Sequence, residues 1–162
     1  MQVSQPRLSN QPDFAILIAA AYSAVASRLL STMEGAGIAG MRPSYGFVIR
    51  AVAAESPTIN RLAELLDVSK QAASKLADEM HRAGFLERTE DTTDRRHTRL
   101  TLSRKGKAVF CRALRASRAM ERTLRTRMGK KEVDVFRRVL IAFIEQHGQL
   151  HDVLARRAKP VL

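Results

Sequence analysis

The sequence has no tryptophan, two tyrosines and a single cysteine in 162 residues. With only Cys111 there can be no internal disulfide, so a hydrophobic core must hold the fold. No apolar run approaches the roughly 18 residues a helix needs to cross a bilayer. The N-terminus lacks a basic start followed by an apolar stretch, so no membrane partner is expected and the expected location is cytoplasmic. A phosphate-cradling glycine loop, a nucleophile elbow and an H-E-x-x-H pair are all missing, which argues against an enzyme and calls for no cofactor. There is no internal repeat. What is present is 45% hydrophobic residues in one domain's length, enough for a core and too many for a disordered chain.

Acidic residues are the scarcer charge, and the formal net charge is +12. Such an excess favours an anionic partner, but its distribution is uneven. Residues 56–107 hold eleven Lys/Arg against eight Asp/Glu, residues 108–162 thirteen against five, and residues 1–55 four against three. Most of the excess therefore lies toward the C-terminus, where Arg112, Arg115, Arg118, Arg122 and Arg125 form a basic row. That row reads equally as a phosphate flank and as a solvated helix face.

The densest pattern is PTINRLAELLDVSKQAASKLADEMHRAGFLERTEDTTDRRHTRLTLSRKG, Pro57 to Gly106. Ile59, Leu62, Ala63 and Leu66 make one apolar helical stripe behind Thr58 as N-cap. Asp67-Val68-Ser69 breaks it. Ser69 caps a second helix whose buried face is read as Ala72, Ala73, Leu76, Ala77 and Met80, ended by Gly84. Lys70, Gln71, Ser74, Lys75 and Asp78 remain for the other face, polar side chains suited to a major groove. Two strands follow, Leu86 to Thr89 and Thr98 to Leu102. Leu100 and Leu102 face one way, Arg99 and Thr101 the other. Their connection, EDTTDRRH, is too polar to bury and reads as a wing.

Helix pair, wing and D-x-R motif together resemble the MarR (multiple antibiotic resistance regulator) family. The resemblance rests on Leu62-Ala63, Val68-Ser69, Ser74-Lys75, Gly84-Phe85, Asp94-Arg95-Arg96 and Leu102-Ser103-Arg104-Lys105-Gly106. It implies a mainly α fold with a small β-wing, a winged helix-turn-helix with N- and C-terminal dimerisation helices. The expected layout is a flexible segment 1–12, one domain 13–157 and a flexible end 158–162. Within the domain the winged core spans 56–103 and the dimerisation helices about 13–34, 104–128 and 131–157. Periodicity supports the helices: Phe14, Leu17, Ile18, Ala21, Val25, Leu29 and Met33 in the first, and Val133, Phe136, Leu140, Phe143, His147, Leu150 and Leu154 near a heptad seam in the last. Pro43 opens a helix to about Ala54. Six helices and one hairpin are expected.

The resemblance further implies a homodimeric, sequence-specific DNA-binding transcriptional regulator. It would act as a ligand-responsive repressor on a pseudo-palindromic operator, with double-stranded DNA, itself and a small-molecule effector as partners. Ser69, Lys70, Gln71, Ser74 and Lys75 are the expected recognition-helix contacts. Asp94, Arg95, Arg96 and His97 are those of the wing, Asp94 orienting it and Arg96 entering the minor groove. The scarce aromatics Tyr22, Tyr45 and Phe47 are pocket candidates, with core packing as the plainer reading. His147 and His151 have metal-ligand spacing, but three or four ligands are needed and His147 falls on the seam. Cys111 has Lys107 and Arg115 one turn to either side; a buried structural thiol is preferred to a redox sensor. The alternative function is an architectural DNA binder without an effector.

Overall fold

The computed structural model describes residues 12–90 and 98–147. Six helices and one hairpin appear in the order α1 (Phe14–Glu34), α2 (Pro43–Glu55), α3 (Ile59–Leu66), α4 (Lys70–Arg82), β1 (Leu86–Glu90), β2 (Thr98–Leu102), α5 (Arg104–Met128) and α6 (Lys130–His147). Local chemistry sets most of these boundaries. The side chains of Asp13, Thr58, Ser69 and Ser103 accept the backbone N–H three residues on, satisfying donors that the first helical turn leaves free. Pro43 starts α2, where its missing N–H costs nothing.

β1 and β2 pair antiparallel with Leu86 opposite Leu102 and Glu90 opposite Thr98. Leu100 and Leu102 face inward as the alternation demands, while Arg99 and Thr101 are half-buried. Two hydrogen bonds fasten the β2 side of the hairpin to the segments flanking the helix pair. Leu100 N–H donates to Pro57 O at 2.9 Å, and the Ser103 hydroxyl donates to Gly84 O at 2.6 Å. Gly106, one turn into α5, lies so near β1 that a Cβ there would stand 2.1 Å from Phe85 O, so only glycine permits this approach.

The core lies in the middle of the chain. Val48, Val52, Leu62, Ala73, Ala77, Met80, Phe85, Leu86, Leu100 and Val109 are fully or almost fully buried where α2, α3, α4, the hairpin and the start of α5 meet. Ala73 and Ala77, with no side chain beyond Cβ, let α4 close on its neighbours.

Three expectations need correction. Ala72 is exposed rather than core, because it lies about 100° from Ala73 around the helix and turns outward. Cys111 is exposed, not a buried thiol, since α5 buries Gly106 and Val109 and the following turn rotates Cys111 to the other side. Finally, α1 is long and apolar enough by length and composition to cross a membrane. The alanines and serines between Phe14 and Ser27 extend its uncharged run farther than the large apolar residues alone suggest.

Candidate nucleic-acid interface

The turn between α3 and α4 fixes how α4 is presented. Asp67 ends α3 in a left-handed conformation (φ 52°), and Val68 N–H donates to Ala63 O at 3.1 Å, folding the chain back so that Ser69 can cap α4 through Ala72 N–H at 3.1 Å. Leu62, Leu66, Ala73 and Ala77 are then buried between the two helices. Lys70, Gln71, Ala72 and Lys75 stand exposed on α4, and Ser74 and Asp78 are half-buried. Neither Lys70 nor Lys75 has an ion-pair partner among the described residues. Two unpaired ammonium groups on one short helix leave an outward positive edge that a phosphate or a guanine edge can satisfy.

Asp78 is placed differently from its neighbours on that face, because it pairs with Arg88 of β1. The pair ties α4 to the middle of β1. At the opposite strand, Arg99 Nη1 donates to Ser56 O at 3.3 Å. Sequence periodicity assigned no role to Arg88, and nothing local marks it, since its partner is ten residues away. The wing residues Asp94, Arg95, Arg96 and His97 lie outside the described residues.

A cavity of about 130 Å³ opens between α1, α2 and α5. Its wall is largely apolar, and Tyr22 and Phe47 both line it beside Met33 and Phe110. Tyr45 does not. It is buried in the core, its ring set edge-on to Phe85 at 5.8 Å between centroids. Val48, Ile49 and Val52, also buried, follow Tyr45 at helical spacing on the same face of α2, which is the signal that could have assigned it to the core. Among the described residues, Arg42 and Arg50 are the charged ones on the cavity wall.

The basic row of α5 divides. Arg112, Arg115 and Arg122 line an open groove with Arg28 of α1. Arg125 instead turns to α6 and pairs with Glu121 at 3.0 Å and Asp134 at 2.9 Å. Arg125 and Arg137 together hold the Glu121 carboxyl below its ordinary range. Among the described residues there is no group of three or more His, Cys, Asp or Glu able to hold a metal. The His147/His151 pair falls at and beyond the end of the described residues.

Residues 39–97 match the family model described as MarR family. Among curated protein sequences there is no match. Solved structures resemble the chain in fold. YusO from Bacillus subtilis superposes with a TM-score of 0.60 at 22% identity, covering 84% of this chain and 94% of its own. A MarR family protein from Bacillus stearothermophilus gives 0.63 at 18%, covering 82% and 91%. The S. aureus MepR–DNA complex gives 0.63 at 18%, covering 82% and 96%. At these identities the likeness is one of fold.

Proposed function

Residues 39–97 match the MarR family, and from that premise we propose that the chain is a member of it and a DNA-binding transcriptional regulator, a cytoplasmic homodimer that represses from a pseudo-palindromic operator and releases it when a small molecule binds. The observation that carries DNA binding is the outer face of α4, with Lys70, Gln71 and Lys75 exposed and both lysines without an ion-pair partner among the described residues, beside a Ser69-capped turn. In this reading Lys75 and Ser74 meet bases, Gln71 meets adenine or backbone, and Lys70 with the N–H groups after Ser69 meets phosphate. On the wing, Asp94 orients the tip, Arg96 enters the minor groove, and Arg95 and His97 flank phosphates.

Dimerisation follows from the apolar surface that the helical ends leave uncovered. Phe14, Leu17, Phe136 and Val139 are each about half exposed, and soluble monomers rarely carry such contiguous patches. A two-fold pairing through α1, α5 and α6 covers them and spaces two copies of α4 about one helical turn of DNA apart. The same pairing accounts for the apolar length of α1 without a membrane. The effector site is the cavity lined by Tyr22 and Phe47, which lies between a dimerisation helix and the start of α2.

Enrichment of duplexes from a random pool by the full-length protein, followed by footprinting, tests the reading. A discrete, two-fold symmetric protected site is expected. Uniform coating of every fragment would mark an architectural binder instead.

A further inference from the structure

Resting on the reading of α4 as the helix that enters the major groove, we propose that Ala72 sets part of the operator sequence by packing its methyl group against the C5-methyl of a thymine. Of the exposed residues of α4, which are Lys70, Gln71, Ala72, Lys75, His81 and Arg82, Ala72 alone is apolar. It stands in the first turn, where a recognition helix meets base edges. At about 100° of rotation per residue it lies about 60° round the helix from Lys75 and about 100° from Gln71, so the three share one outward surface. Gln71 and Lys75 suit the polar groups of the groove; the thymine methyl is its apolar feature, and alanine is among the side chains that meet it.

The backbone fixes where this methyl stands. Ala72 N–H donates to the Ser69 hydroxyl at 3.1 Å, and the adjacent Ala73 is buried against the core. A side chain that ends at Cβ has no rotamer to lose on binding, and its shortness lets the helix approach the base edges closely. The edge of α4 that carries Ala72 is also open to DNA in charge. Glu79, two turns on and about 20° away round the helix, would repel phosphate, but it pairs with Arg42 at 3.2 Å. Asp78 likewise pairs with Arg88. Both acidic residues of α4 are thus compensated, while Lys70 and Lys75 have no ion-pair partner among the described residues. A methyl held in this way separates thymine from bases that lack the C5-methyl group, whereas an alanine that faces only solvent separates none of them.

Deoxyuridine substitution tests this on the full-length protein and a duplex enriched from the random pool. Each thymine of the protected site is replaced in turn, symmetrically in the two half-sites, which removes the C5-methyl and leaves the base-pairing edge intact. At one position the replacement is expected to weaken binding by roughly four- to fifteen-fold, the scale of one or two methyl groups returned to water. In Ala72→Gly that penalty should fall to within about two-fold, with the effects at other thymines unchanged. Ala72→Ser keeps a Cβ but sets a hydroxyl against the methyl; it should lose the penalty as well, and it serves where the glycine variant melts early. Gln71→Ala should keep the penalty. A site in which no uracil weakens binding, or a penalty that persists in both Ala72 variants, would overturn the methyl contact while leaving DNA recognition standing. A penalty abolished by Gln71→Ala and kept in the Ala72 variants would overturn it too, in favour of the glutamine stem. Failure to enrich any duplex would instead remove the regulator reading on which the contact rests.

Discussion

Phe85, Leu62, Leu100 and Met80 in the winged head are completely buried, whereas Phe14, Leu17, Phe136 and Val139 in the helical ends keep about half their surface in contact with solvent. Both regions are rich in large apolar residues, so composition alone does not separate them. What differs is closure. The head packs α2, α3, α4 and the hairpin around shared neighbours, while α1 and α6 meet at a thin edge where Phe14 and Phe143 touch at 5.5 Å between centroids. An open apolar face of this kind marks a surface that another surface covers.

That contrast predicts opposite responses to similar truncations. Phe85→Ala removes a fully buried ring beneath Gly106 and Tyr45, and should destabilise the protein by about 3–5 kcal/mol, read by chemical denaturation. Phe136→Ala, a truncation of the same size at a half-exposed site, should leave the melting of the head nearly unchanged and shift the monomer–dimer balance, read by sedimentation. Equal stability losses from both would show that the ends are as closed as the head and break the comparison. Cutting the chain before Val133 should expose the faces of α1 and α5 and cause aggregation or unfolding. A soluble, folded monomer after that cut would remove the two-fold architecture.

The same division explains which features were legible in the sequence. Caps and breaks are local, so Thr58, Ser69 and Pro43 marked helix starts, and the alternation of Leu100 and Leu102 marked a strand. The burial of Ala72 was misjudged because alanine fits either face of a helix and its own chemistry does not choose. Cys111 was misjudged because an apolar thiol on a long helix carries no sign of which side the neighbours occupy. Tyr45 was readable in principle, for its spacing to Val48, Ile49 and Val52 is that of a core stripe. The pairings of Arg42 with Glu79 and of Asp78 with Arg88 were not, since partners 37 and 10 residues apart meet only after the chain folds.

Within the head, the exposed edge of α4 should matter for binding and not for stability. Lys75→Ala is expected to cost about 1–3 kcal/mol on an enriched duplex if it meets a base, with a smaller loss on random DNA and an unchanged melting temperature. Equal losses on the two DNAs would make Lys75 a phosphate contact. A fall in melting temperature would mean that this edge belongs to the fold, as Phe85 does.

The smallest expected effect lies at the joint between α5 and α6, where exposed ion pairs join the two helices beside the buried Val133. Glu121 receives Arg125 at 3.0 Å and Arg137 at 2.8 Å, and Arg125 also reaches Asp134 at 2.9 Å. Hydrogen bonding from Arg125, then from Arg137, lowers the Glu121 carboxyl from its ordinary value of 4.5. A carboxyl lowered in the folded state adds stability above its unfolded value, and that stability is lost as pH falls through the depressed folded value. The joint is exposed, so salt and solvent screen it and the contribution is small. Amide exchange over residues 130–147 should therefore accelerate modestly as pH drops below about 4.5, once corrected for intrinsic rates. Glu121→Gln should exchange faster at neutral pH and lose most of that acid dependence, with the amides of α3 and α4 unaffected in both proteins. If the variant keeps the parent's acid dependence, another group governs the joint; if α3 and α4 loosen alongside α6, the head and the ends melt as one unit.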